Sequence, residues 1–247
     1  MVEPDAPVLA GWRQPRLEAF LLLAAAVVAW DAAAPHLGRA DLWVTVAIVA
    51  AGVLPATLGL VFVALPLWSR RWIVAAGAVS GAAAVGTWEA HWHLASNFSK
   101  LAAYACAGWA FLWLFEELGW VVIVAAIIPV VDAISVAAGP TKAIVTHHAE
   151  VYSAVAVAFL APGGRAVDLG PPDVLFYALF LGATVRWRLR PGCTWLAMTG
   201  MYSLIVVIGN LADVGGLPAL PFLSTGFALA NADLLWRRLR GRRPRAS

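Results

Sequence analysis

Charge is scarce in this chain: 13% of its 247 residues are Asp, Glu, Lys or Arg, about half the share usual in soluble domains. That excludes an ordinary solvated enzyme surface. Cysteine is scarcer still. Cys106 sits in an apolar run and Cys193 in a predicted loop, which gives neither a disulfide framework nor zinc-ligand spacing. No nucleotide-binding glycine loop, nucleophilic serine elbow or haem motif appears, so no cofactor is implied. Internal repeats and polar domains are also lacking.

What the chain has is apolar length, with 62% hydrophobic residues. Eight stretches qualify as candidate spans, at roughly 17–34, 42–68, 72–90, 100–116, 119–138, 173–190, 194–214 and 218–236. The expected fold is all-α: a polytopic transmembrane bundle of about eight spans (seven to nine) in one membrane domain over residues 1–247. Within it, 1–118 supply N-terminal helices, 119–236 carry the candidate site, and 237–247 form a basic tail. The runs are continuous rather than alternating, which argues against a β-barrel. Pro55 lies inside the second stretch and predicts a kink. The first, with Arg13 and Arg16 ahead and Ala32-Ala33-Ala34 behind, also fits a signal peptide.

The positive residues sort by side. Arg13, Arg16, Arg70, Arg71, Arg186, Arg188, Arg190 and the tail from Arg237 to Arg245 fall together; Arg39, Lys100, Lys142 and Arg165 are spread singly on the other side. The positive-inside rule then puts both termini in the cytoplasm of a multi-pass protein of the cell membrane. The tail reads as an anchor on anionic lipid rather than a nucleic-acid site. All five histidines, His36, His91, His93, His147 and His148, fall at the outer side.

Against this background two aspartates stand out. Asp132 is embedded in Ile127–Ile134, and Asp173 opens Val174-Leu175-Phe176-Tyr177. An ionisable residue in lipid costs about 2.5–3.5 kcal/mol on insertion scales and is a functional suspect. Both fall in the outer half, Asp132 about 9 Å from the end of its helix. Alone, Asp173 after Pro171-Pro172 reads as a helix cap. Together the two make an acid–base pair: carboxyls sharing a proton have their pKa values pushed apart, so one activates water while the other protonates a carbonyl oxygen. Neither role is assignable to one residue from sequence. The polar connection 139–172 between them holds a short apolar piece, Val151–Leu160, read as re-entrant or interfacial. A third feature is Leu217-Pro218-Ala219-Leu220-Pro221. Its prolines leave backbone groups unpaired at membrane depth, suited to hydrogen-bonding an extended peptide.

These three places resemble the presenilin and signal peptide peptidase family of intramembrane aspartyl proteases. Val131-Asp132 with Gly139-Pro140 resembles the family's Tyr-Asp helix; Gly170-Pro171-Pro172-Asp173 with Phe176-Tyr177 resembles its Gly-x-Gly-Asp motif; Pro218-Ala219-Leu220 matches its Pro-Ala-Leu motif, in the same order. The likeness covers roughly residues 120–236. Val131 stands where tyrosine is usual, Pro172 where the second glycine is usual, and the family has nine spans. The resemblance implies a catalytic dyad of Asp132 and Asp173. It puts Gly170 on the approach to the site, and has Pro218, Ala219 and Leu220 shape it and hold substrate. The substrate would be a transmembrane segment or remnant signal peptide, and no metal would be needed. The charge pattern gives the signal-peptide-peptidase orientation.

Two rival readings remain. Trp88-Glu89-Ala90-His91-Trp92-His93 and Thr146-His147-His148-Ala149-Glu150 share a predicted face, where a zinc-dependent hydrolase would hold its metal. Alternatively the fold serves as a binding scaffold or a proton-linked transporter, which Pro172 favours. Glu116 and Glu117 read as a solvated turn, and Asp31, Asp213 and Asp233 as span ends. Asn210 and Asp213 are also candidates to face the bundle near Pro218. Gly77, Gly81 and Gly86 suggest close helix packing.

Overall fold

The computed structural model describes residues 17–38, 41–138, 149–162, 165–211 and 217–240. Helix α1 (Leu17–Ala33) packs on α3 (Leu54–Ala64). The helix before α3, α2 (Leu42–Ile48), is capped by Asp41, whose carboxylate accepts the Trp43 amide at 2.8 Å. Between α2 and α3 the kink expected at Pro55 takes the form of a π turn, Val49–Val53. There the Leu54 amide reaches back to the carbonyl of Val49. The next carbonyl, Ala50, would need the amide of residue 55, and proline has none. Ser203 satisfies it instead, its hydroxyl donating at 2.6 Å.

The chain continues through α4 (Ile73–Glu89), α5 (His93–Leu112), α6 (Leu118–Ala138) and the short α7 (Ala149–Val155). It then forms an antiparallel hairpin of β1 (Val157–Ala161) and β2 (Arg165–Leu169), with Val157 opposite Leu169 and Ala161 opposite Arg165. Three helices close it: α8 (Pro171–Arg186), α9 (Pro191–Leu211) and α10 (Leu220–Arg240). The architecture is the expected helical bundle, but Val151–Leu160 is not one re-entrant piece. It divides into the end of α7 and most of a strand. Cys193 lies in the first turn of α9 rather than in a loop, and Glu116 and Glu117 occupy an exposed turn as expected.

Helix α8 is the axis of the core. Tyr177 through Thr184 are buried without interruption, and the Tyr177 hydroxyl meets that of Thr199 at 2.8 Å. Helix α5 lies against it on one side and α9 and α10 on another, while α4 covers α5, and α6 leans mainly on α10. Glycines permit the tightest crossings. A Cβ on Gly108 would come within 2.2 Å of the Leu175 carbonyl oxygen, and one on Gly226 within 2.8 Å of the Met198 Cα. Of the glycines singled out in the sequence only Gly77 serves this purpose, against Cys106; Gly81 and Gly86 face open space.

Four helical segments are long and apolar enough to cross a membrane: Leu17–His36, Leu42–Leu67, Leu118–Ala137 and Pro191–Leu211. They mark a membrane protein. The eight stretches are all helical in large part, yet α4, α5, α8 and α10 do not reach that standard, being shorter or more polar. One end of the bundle gathers arginines. Arg186 donates to the Leu112 carbonyl at 2.6 Å, Trp113 to that of Trp68 at 3.2 Å, and Arg190 and Arg237 both bind Asp233 at 2.7 Å. Arg70 and Arg71 lie beside Trp68, so these groups share an end, as their spacing predicts.

The glycine contacts make a direct prediction. Gly108→Ala should destabilise the protein in detergent by about 1–3 kcal/mol, the usual penalty of overpacking against backbone. Gly81→Ala should change it by less than about 0.5 kcal/mol. Thermal unfolding of the two variants checks this.

Candidate active site

Asp173 is the third residue of α8. The two prolines before it occupy the first two helical positions, where an amide has no intrahelical acceptor and φ near −65° is what a helix needs. Pro172 is therefore accommodated without strain. Gly170, the N-cap, has φ −64° and ψ 149°, which any residue adopts. Its side of the turn is tight for another reason: a Cβ there would sit 3.0 Å from Asp173 Oδ2. That oxygen accepts the Gly170 amide at 3.1 Å and the hydroxyl of Tyr202 at 2.9 Å. Asp173 is thus a helix cap, as its sequence context suggested, but capping is only part of its surroundings.

Asp132 comes from α6. The Oδ2 of Asp132 accepts the amide of Leu220 at 3.0 Å, and the Ala219 amide points at the same carboxylate. Those amides belong to the first turn of α10, where backbone donors lack helical partners and the helix dipole favours an anion. Two helix N-termini, those of α8 and α10, therefore converge on two carboxylates, and the carboxylates lie within electrostatic reach of each other. Of the residues anticipated from sequence, Asp132, Asp173, Gly170, Ala219 and Leu220 come together. Pro218 is half-buried immediately before them. The Ala219 and Leu220 amides are turned to Asp132, so they are not the outward-facing donors that the proline spacing suggested.

Two tyrosines complete the cluster, and neither was anticipated. Tyr202 on α9 is buried and also senses Asp132. Tyr152 on α7 lies near Asp173, Asp168 and Tyr202. Burial, reinforced by Asp168 and then Asp173, pushes the Tyr152 phenol up to about 12, which keeps it a neutral hydroxyl.

The other candidates stand apart. His93 packs edge-on to Trp88 at 5.4 Å and lies 6.2 Å from His91, ring centre to ring centre. Among the described residues no group of three or more His, Cys, Asp or Glu is placed to hold a metal. His147, His148, Gly139, Pro140 and Asp213 lie outside the described residues. Asn210 bonds back to the Val206 carbonyl of its own helix at 2.7 Å.

No protein-family model, curated protein or solved structure gives a significant match to the chain.

Crowding at Gly170 tests whether this turn sets the carboxylate. Gly170→Ala, which presses on Asp173 Oδ2, should leave the unfolding free energy within about 1 kcal/mol of wild type. It should lower any Asp173-dependent activity about tenfold, because a small displacement of a reacting group is costly. Denaturation and activity measured on the same preparation check both.

Proposed function

We propose that the chain is an intramembrane aspartyl protease of the presenilin and signal peptide peptidase kind, hydrolysing peptide bonds within transmembrane segments or remnant signal peptides. One observation carries the reading: Asp132 and Asp173, from separate helices, are held within electrostatic reach of each other. Capping two helices explains each carboxylate singly. It does not explain bringing two like charges together, which costs energy wherever water is scarce. Chemistry that needs a shared proton does explain it.

In this reading one carboxylate takes a proton from water while the other donates to the scissile carbonyl oxygen. The resulting tetrahedral diol collapses to amine and acid with the protons returned. Gly170 and Tyr202 fix Asp173, both donating to Oδ2, and Ala219 and Leu220 fix Asp132. Neither metal nor cofactor takes part.

The hairpin supplies a place for an extended substrate. The Ala158 amide and carbonyl bond to the Asn97 side chain, and the Leu160 carbonyl accepts from Trp30 at 2.7 Å. Backbone groups alternate sides along a strand. With the observed register, those of Ala166 and Asp168 then point away from β1. That edge runs into Gly170 and Asp173, and strand addition there would deliver a peptide to the dyad.

The eight apolar stretches, alternating in direction, would all cross the cell membrane in a presenilin-like arrangement. The arginine-rich end and both termini would be cytoplasmic. Asp132→Asn and Asp173→Asn, purified and reconstituted with a transmembrane substrate, should each lower product formation by at least about a thousandfold. Asp132→Asn keeps an acceptor for the Leu220 amide and should stay folded. Products persisting in either variant would contradict the proposal, and peptide binding with no aspartate-dependent cleavage would mark a scaffold. A second expectation concerns direction. Substrates with cytoplasmic N-termini should be cleaved in preference to inverted ones, since strand direction follows enzyme orientation. Mass analysis of products from the two substrate orientations checks it.

A further inference from the structure

Helix α5 carries polar residues that a membrane helix does not need for its own sake. Asn97 is 7% exposed and Lys100 3%, and burying such groups is unfavourable unless they are hydrogen-bonded. Their hydrogen-bond partners all lie in one segment. The Asn97 side-chain amide takes both backbone groups of Ala158: its oxygen accepts the amide at 3.2 Å and its nitrogen donates to the carbonyl. A neighbouring strand would pair in the same way. Lys100 Nζ donates to the carbonyls of Ala156 at 3.0 Å and Ser153 at 3.3 Å, and sits 4.5 Å from the Trp88 ring centre. Tyr104 donates to the Val155 carbonyl at 2.7 Å.

Positions 97, 100 and 104 form one stripe of α5, spaced three and four residues apart. They grip a run of chain from Ser153 to Ala158. The two lower rungs satisfy carbonyls at the C-terminus of α7, where helical donors have run out. The top rung caps β1. Attraction between Lys100 and Asp168 ties the second strand to the same stripe. Tyr152, just before the gripped run, lies within electrostatic reach of Asp173, and β2 leads directly into the turn that holds Asp173.

We propose that the Asn97–Lys100–Tyr104 stripe is a positioning device: it fixes the hairpin along α5 and so sets which bond of a peptide paired with β2 meets the dyad. This rests on the protease reading and extends it to the choice of cleavage site. None of the three residues touches the reacting atoms. A strand that slips while keeping the same face outward moves by about two residues. Loosening the stripe therefore displaces the cut rather than merely slowing it.

The test is the product pattern. Reconstituted wild type and Asn97→Leu are given one transmembrane substrate, and the new termini are identified by mass spectrometry. Asn97→Leu should spread the cut to sites about two residues away, with the wild-type terminus falling below half of the product. Unchanged termini at reduced yield would overturn the inference and leave Asn97 a structural residue. Should Asn97→Leu fail to accumulate, Tyr104→Phe, which removes one hydroxyl, carries the test with the same two outcomes.

Absence of Asp132-dependent product in wild type would overturn the protease reading instead. The stripe is then read without activity. Spin labels at exposed Ala102 and Val151, in a Cys193→Ser background, should give a narrow distance distribution that broadens in Asn97→Leu. An equally narrow distribution in the variant overturns the positioning role.

Discussion

Everything in this structure turns on holding two carboxylates in a place that resists charge. The solution is to seat each at the N-terminus of a helix. Asp173 sits in the first turn of α8 and takes the Gly170 amide; Asp132 comes from α6 and takes the amides that open α10. Unpaired N–H groups and the helix dipole stabilise anions without a counter-charge. An arginine partner would also stabilise them, but it would compete for the proton that the proposed chemistry has to share. Backbone donors leave that proton free.

The rest of the bundle keeps those two helix ends in register. Helix α8 is buried along most of its length, so Asp173 is mounted on the central helix of the core. Gly108 and Gly226 let α5 and α10 approach their neighbours closely enough to define their positions. Tyr202 links Asp173 to α9, and Ser203, one residue on, ties α9 to the π turn before α3. The hairpin is fastened on one edge by α1 and α5 and directed away from it on the other.

The aspartates were legible because charge in an apolar run is conspicuous, and Pro-Ala-Leu because prolines at a helix start leave amides free. The hairpin was not. Val157–Ala161 is wholly apolar, with buried and half-buried positions alternating only once it is packed, so no polar alternation marks it as a strand. Tyr202 was invisible for a different reason: a lone tyrosine in an apolar helix acquires meaning only through the residue it faces. The same holds for the glycines. Small residues spaced along Gly77–Gly86 look like a packing stripe, yet contact depends on which helix lies opposite, and α5 meets that stripe closely only at Gly77. Lys100 read as an isolated outer charge, whereas it is buried on carbonyls that sequence spacing does not bring near it.

In the proposed chemistry the two carboxylates together activate a water for direct attack on a peptide bond. Hydrolysis of a transmembrane substrate in oxygen-18 water, followed by mass spectrometry of both product and enzyme, tests it most directly. One heavy oxygen is expected in the new C-terminal carboxyl of the product, and none introduced into Asp132 or Asp173. Heavy oxygen in either aspartate after a single turnover, which marks a covalent acyl intermediate, or no labelled product at all, would contradict it.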